Sequence, residues 1–479
     1  MTAPAPLTRR RALDLREARA FVLGGLARAR AERAVLHLRM PAPPAPVDLP
    51  LRALRKAPGV RWRSEAGHDL VGHGAGVMLR AAGEARFEDL GRASDALFAA
   101  ILRVTHADVD ARAPRVFGGF AFRAGGADRE PWAAFGDGAL LLPRWSYEVR
   151  PGAGVLTLGV DCRDGWAGRD ETVAAELSAL WAALEAPACY PVGRPRLVRV
   201  EHADRARYDR AVGVLTRAIA AGELAKAVYS RRARVRAAHD LEPWQVLEDL
   251  AAAYPQTTAF GLRLGASTFL GATPERLFRK RGRTVEADAL AGSVRPDADD
   301  ADARLLGSDK DRREHRFVVD HLRARLTPLA QALEVPAAPS IRRLPNVLHL
   351  HTAVRGRLRP GVSPAEVTAA LHPTPAVGGT PTERAVPWIA EHEASPRGWY
   401  AGPVGWWDAD GNAEMRVALR CGVVRGATAW LYAGGGIVAG SEARAEWEES
   451  ALKLRPLLAA LGGSAADGEA AGRGARGVG

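Results

Sequence analysis

From about Asp204 to Leu461, strand-like and helix-like stretches follow one another without the regular strand–helix–strand rhythm of a doubly wound parallel sheet. A chain without that rhythm pairs its strands mainly with sequence neighbours, which makes α+β the expected fold class. Upstream, residues 1–200 read as mixed helix and strand. An amphipathic stretch runs from about Leu13 to Arg33, and short runs such as VLHLRM and GVMLRAA are separated by turn signals. The segment GGFAFRAGGADREPWAAFGDGALLLP carries glycine and proline around strand-like pieces. The expected organisation is an α+β portion over 1–200 packed with a second part over 201–462. A small, polar tail over 463–479 has no apolar face to bury and is expected to be disordered.

At 479 residues, core size does not limit stability. No apolar run approaches the roughly 20 residues that a bilayer span needs, and the N-terminus lacks the apolar stretch of a signal peptide. Cys162, Cys189 and Cys421 are scattered without paired spacing, which fits reduced thiols in the cytoplasm rather than a disulfide framework or zinc site. A formal charge of +12 raises the question of nucleic acid. The basic residues are spread along the whole chain with no aromatic-interleaved stripe, so no nucleic-acid partner is expected.

Of the 67 basic residues only five are lysines, at positions 56, 226, 280, 310 and 453. Where arginine serves every ordinary surface role, a retained lysine is a candidate for chemistry, because an amine can lose its proton and a guanidinium cannot. Lys226 opens the strand-like KAVYSRRARV after a turn at Ala221 and Gly222, sharing a face with Val228 and Ser230. Glu275 follows a Thr-Pro turn in FLGATPERL; alone it reads as a solvated turn carboxylate.

GSDKDRREHRFVVDHLRARL reads as a helix capped by Ser308, with Asp309 and Asp311 in its first turn. His315, Val319, Leu322 and Leu326 form its expected apolar stripe, with Glu314 on the flank. The last helix, expected to be capped by Ser441 and ended by Gly462, buries Trp447, Ala451, Leu454, Leu458 and Leu461. Glu446, Glu449 and Lys453 fall along one border of that stripe, with Glu448 opposite. Like charges at i and i+3 repel, and a divalent cation would relieve them; an all-carboxylate set suits magnesium rather than zinc. The rival metal pattern is His349 with His351 on one face of VLHLHTAV, and two histidines alone do not make a zinc site. AVGGTP and AGGGIV match no nucleotide fingerprint and read as backbone brought close to an anion. Arg420, expected in a strand VALRCGVV, suits a carboxylate.

Taken in order over about residues 200 to 461, the segments KAVYSR, FLGATPERL, ALAGS, SDKDRREH, LPNVLHLHT, LHPTPAVGGTP, RGWYAGPVGW, VALRC, AGGGIV and EWEESALKL resemble the chorismate-utilising enzymes. Agreement upstream is weaker and centres on FGGFAF. The resemblance implies a large layered sandwich of mainly antiparallel sheets flanked by helices. It also implies that Lys226 activates water as general base and that Glu275 protonates a departing hydroxyl. Glu314 and Glu449, with Glu446 beside them, would hold Mg2+ against the ring carboxylate of chorismate. Tyr400 and Arg420 would take the pyruvyl carboxylate. Lys453, Gly292, Ser293 and the amides of Gly434, Gly435 and Gly436 would complete an anion cradle, with His349 lining the ring.

Within that family the ammonia-using members typically lack a lysine at the position of Lys226, and one branch carries a nucleophilic lysine where this chain has Ala291. Lys226 together with Ala291 therefore points to water as nucleophile, and LHPTPAVGG resembles the isochorismate-forming members. The alternatives are a salicylate synthase, which goes on to eliminate pyruvate, and a basic binding protein that kept the fold without catalysis. AGGGIV has glycine where alanine is common in the family, and His351 sits where the family varies and is given no role. Pathway and oligomeric state are not legible.

Overall fold

The computed structural model describes residues 13–46, 58–65, 69–150, 153–164, 169–186, 193, 196–294, 299–344 and 347–463. Residues 464–479 of the tail, Lys56, Cys189 and the side chain of Ser293 lie outside the described set. Among the described residues, ten helices surround twenty-one strands joined in one hydrogen-bonded network. The fold is α+β, a large and almost wholly antiparallel sheet system flanked by helices. The exception is Val35–Ala42, which pairs in parallel with Ile101–Thr105.

Besides a short branch through Ala153–Asp161 and Val35–Ala42 to Ile101–Thr105, the network has two long branches that meet on the strand Gly138–Arg150. One branch runs from it through Asp69–Ala81, Gly59–Arg63, Thr258–Leu264, Ser267–Thr273, Cys421–Arg425 and Thr428–Ile437 to Lys226–Ala237. The other runs through Arg115–Phe120, Pro403–Asp408, Ala413–Val417, Arg276–Arg281 and Thr284–Val294 to Val347–Leu358. The ladder thus crosses residue 200, since Gly59–Arg63 pairs with Thr258–Leu264 and Arg115–Phe120 with Pro403–Asp408.

The two-residue period of a strand decides where the cores sit. In Thr428–Ile437, Trp430 and Tyr432 enter the core shared by the two branches. Their neighbours Ala429, Leu431 and Ala433 face a second core, built with the helices Leu15–Ala31, Asp170–Glu185, Pro243–Ala253 and Ala443–Ala460. Phe260 and Phe269 likewise face inward, and Ala259 and Leu270 outward. Strands covered on both faces read as nearly continuous apolar runs, which explains why alternation is weak in this part of the sequence.

Several local expectations are met by local chemistry. The amphipathic stretch expected from about Leu13 to Arg33 forms the helix Leu15–Ala31, opened by a reciprocal capping box between Asp14 and Glu17. Ser308 caps Asp309–Leu326 by accepting from the Asp311 amide. Gly222 takes a left-handed φ of 76° at the turn before Lys226. Three expectations are corrected. In Asp309–Leu326 it is Val318, not Val319, that is fully buried with His315, Leu322 and Leu326. Ser441 does not cap Ala443–Ala460; Glu442 occupies that position, and the Ser441 hydroxyl instead donates to Glu446 Oε1 at 2.7 Å. Arg420 is not in a strand: Ala413–Val417 ends before it, Cys421–Arg425 begins after it, and its φ is 49°. No helix among the described residues is long and apolar enough to cross a membrane.

Candidate active site

Lys226 begins the strand Lys226–Ala237, between Gly379–Thr380 on one edge and Thr428–Ile437 on the other. Its side chain is completely buried, and Nζ donates to Glu314 Oε1 at 2.7 Å. A strand cannot bury a charged amine without a partner, and Glu314 supplies one from the first turns of Asp309–Leu326. The approach is possible because Gly436, which pairs with Val228 two residues on, has no side chain. A Cβ there would stand 2.7 Å from Lys226 Cε and 2.9 Å from Glu314 Oε1, well inside contact distance.

Beside this pair lies a cavity of about 270 Å³ lined by Glu275, Gly292, Glu314, His349, Tyr400, Arg420, Gly434, Gly436, Glu446, Glu449 and Lys453. Lys226 lies beneath Gly436 and Glu314 rather than on the cavity wall itself. Gly435 is also off the wall, and a Cβ on it would meet Glu446 Oε2 at 2.8 Å. Eleven of the fourteen residues singled out from sequence therefore converge on one space, although they come from segments as far apart in the chain as Glu275 and Lys453.

Glu275 is 7 % exposed, held between Ser267–Thr273 and Arg276–Arg281, with its own amide donating to Thr273 Oγ1 at 3.2 Å. Burial pushes its carboxyl up to about 7, and the negative charge of Asp288 adds to the rise; Lys226, Arg420 and Lys453 oppose it. Glu275 is therefore not the solvated turn carboxylate that its local sequence suggests, and near neutrality it holds a proton that it can give away. Burial holds His349 down at about 4, so its ring is neutral. Its Nδ1 stands 3.0 Å from the Gly292 carbonyl, which can only accept, so the proton sits on Nδ1 and Nε2 is an acceptor. Gly292 is the bulge residue of Thr284–Val294, with φ of 75°; a Cβ on it would strike Asp311.

Arg420, Lys453 and the Tyr400 hydroxyl face the same space. Arg420, held in a left-handed backbone, has its guanidinium drawn down by burial. Lys453 pairs with Glu449 at 2.7 Å and donates to the Gly434 carbonyl at 2.9 Å. Gly434 thus offers the cavity a carbonyl already engaged by an ammonium. The Tyr400 hydroxyl, 3.1 Å from where a Gly434 Cβ would be, is kept protonated by burial, and its ring stacks on Tyr432.

The three carboxylates expected to bind a metal line the cavity, but each is held by its own partner: Glu314 by Lys226, Glu446 by Ser441 and Glu449 by Lys453. Among the described residues, no three carboxylate, imidazole or thiol side chains are gathered closely enough to enclose a metal ion. Glu446 is pushed up by burial, with Glu449's charge adding to the rise and Ser441, Lys310 and Lys453 opposing it, whereas Glu449 is held down by Lys453. His349 and His351 are engaged separately, His349 with Gly292 and His351 with Asp288 at 3.2 Å.

Two further ionisable residues line the cavity with no role assigned from sequence. Lys310 and Asp311 face the cavity from the helix that carries Glu314. The scarcity of lysine already marked Lys310, and Asp311, three residues before Glu314, shares its helix face. Asp311 was instead read as a helix-dipole residue.

The family description "Chorismate binding enzyme" matches residues 29–462. "Salicylate biosynthesis isochorismate synthase" of Pseudomonas aeruginosa is 37% identical over 73% of this chain and 75% of its own length. "Isochorismate synthase MenF" of Bacillus subtilis is 33% identical over the same shares. The solved structure of the menaquinone-specific isochorismate synthase MenF of Escherichia coli superposes with a TM-score of 0.73 at 27% identity, covering 92% of this chain and all of that one. Anthranilate synthase component I from Streptococcus pneumoniae shares the fold, with a TM-score of 0.65 at 18% identity. The chain belongs to the family of chorismate-binding enzymes.

Proposed function

We propose that this protein is an isochorismate synthase, converting chorismate to isochorismate with water as the nucleophile. The observation that carries the reading is the meeting, around one cavity, of a carboxyl that keeps its proton near neutrality, Glu275, and a buried amine, Lys226. Water adds at ring carbon 2, the two ring double bonds shift, and the hydroxyl on carbon 4 departs. Lys226 accepts the proton of the attacking water, and Glu275 delivers a proton to the leaving oxygen, so water enters and water leaves. General acid and base contributions of roughly 10²–10⁴-fold each are expected from groups so placed.

Lys226 must exchange Glu314 for water to act, and Glu314 is also one of three oxygen donors on the cavity wall. An all-carboxylate set with Glu446 and Glu449 in mutual repulsion fits magnesium in kind. Bound by Glu314, Glu446 and Glu449, Mg2+ would neutralise the substrate's ring carboxylate and take Glu314's charge from Lys226. Tyr400 and Arg420 would hold the pyruvyl carboxylate, the tyrosine donating its hydroxyl and the arginine a forked pair of N–H groups. Ala291 on the cavity wall leaves no amine there to compete with water.

The test is product analysis after incubation with chorismate and magnesium. Isochorismate without a need for ammonia and without release of pyruvate is expected; salicylate with pyruvate, or no turnover, would overturn the assignment.

A further inference from the structure

One edge of the strand Lys226–Ala237 is covered by Thr428–Ile437 along most of its length. The other edge is covered in two places among the described residues. Gly379–Thr380 pairs with Ala227 and Lys226, and Leu197–Glu201 joins between Arg234 and Ala237. Neither ladder includes Val228 or Ser230, although Val228 turns its amide to this edge and donates it to the Gly378 carbonyl at 2.9 Å. By the alternation of a strand, the Val228 carbonyl and the Ser230 amide face the same way.

Two side chains take the place of the missing strand. Arg397 donates through Nη2 to the Val228 carbonyl at 2.7 Å, and Glu393 Oε1 accepts from the Ser230 amide at 2.8 Å. Their side chains are 3 % and 5 % exposed and are locked to each other, Nη2 to Oε1 at 2.6 Å and Nε to Oε2 at 2.9 Å. The remaining nitrogen, Nη1, donates to the Val377 carbonyl at 2.7 Å, and the Arg397 carbonyl accepts from the Tyr400 amide at 3.0 Å. Both buried charges are therefore paired, and the guanidinium fork ties together two backbone segments that arginine alone has the geometry to reach at once. Val228, Val377 and Tyr400 line the substrate cavity; Arg397 and Glu393 do not.

We propose that the Arg397–Glu393 pair positions Lys226 for its reaction, by fixing the strand edge two residues beyond it to the segment Val377–Thr380. The pair touches no substrate and acts through the strand. The tolerance it serves is narrow, because Lys226 Nζ meets Glu314 at 2.7 Å in a slot so tight that a Cβ on Gly436 would stand 2.7 Å from Cε. A strand free to shift at this edge misplaces the amine. The inference rests on the reading of Lys226 as the base.

The test is kcat and KM for chorismate in Arg397→Lys, alone and combined with Lys226→Met. Lysine keeps the charge beside Glu393, but its single nitrogen cannot replace the fork. Arg397→Lys should lower kcat by about 10–100-fold with a smaller effect on KM, the scale of loss for a misplaced reacting group. In Lys226→Met, which has no amine to misplace, the same substitution should leave the residual turnover unchanged. A fall of equal size in both backgrounds, wild-type kcat in folded Arg397→Lys, or a loss confined to KM would overturn the proposal and leave Lys226 as the base. Wild-type turnover in Lys226→Met would overturn both. Glu393→Gln, carried through the same cycle and judged by the same outcomes, serves if circular dichroism shows Arg397→Lys unfolded.

Discussion

Replacing Glu275 by glutamine removes an ionisable group while keeping its shape, and the structure predicts opposite consequences for stability and turnover. In the unfolded chain the carboxyl ionises near 4.5; in the folded protein, burial delays ionisation to about 7. Below 4.5 both states hold the proton and burial costs nothing extra. Between 4.5 and 7 the unfolded state releases its proton first, so stability falls as pH rises, and above 7 the loss is complete and constant. At roughly 1.4 kcal/mol per unit of separation, the full penalty is about 3 kcal/mol. Glutamine never ionises, so Glu275→Gln should match the wild type near pH 4.5 and exceed it by about 3 kcal/mol at pH 8. With unfolding entropy of about 1 kcal/mol/K for a chain this long, that is a Tm gain of about 3 °C. Turnover should move the other way, with kcat falling by roughly 10²–10⁴-fold as the proton donor is lost. Chemical denaturation and chorismate turnover measured from pH 5 to 8.5 provide the assay. A stability difference independent of pH, or a variant that loses stability as pH rises, would refute the burial argument. A variant with wild-type kcat would refute the role as acid.

The wild-type kcat itself should decline as pH rises through about 7, where Glu275 loses its proton, and this limb should disappear from the residual activity of Glu275→Gln. Lys226→Met keeps the buried aliphatic stem but removes the amine; turnover should fall roughly 10³-fold with circular dichroism unchanged, and wild-type rates would exclude the lysine as base. Gly436→Ala adds a methyl 2.7 Å from Lys226 Cε, displacing the amine from its pair, and should lower kcat by at least about tenfold with a smaller effect on KM. Exhaustive chelation should abolish turnover, and added magnesium should restore it; full activity without divalent metal would exclude Glu314, Glu446 and Glu449 as ligands.

Much of the site could be read in the chain because short-range chemistry marks it. Lysine scarcity marks five positions: Lys226, Lys310 and Lys453 come to or beside one cavity, Lys280 instead donates to the Gly411 carbonyl, and Lys56 lies outside the described residues. Ser308, Gly222 and the 3.6-residue stripe of Ala443–Ala460 act within a few residues of themselves, so the local sequence suffices to place them. Tertiary structure alone decided that Lys226 pairs with Glu314, 88 residues away, and that Ser441 turns from capping to hold Glu446. It also decided that Arg420 occupies a left-handed turn and that a carboxyl after a Thr-Pro turn is buried deeply enough to keep its proton near pH 7. Capping and periodicity are properties of neighbours in sequence. Desolvation and charge pairing depend on whatever distant segment arrives, and no window along the chain contains that partner.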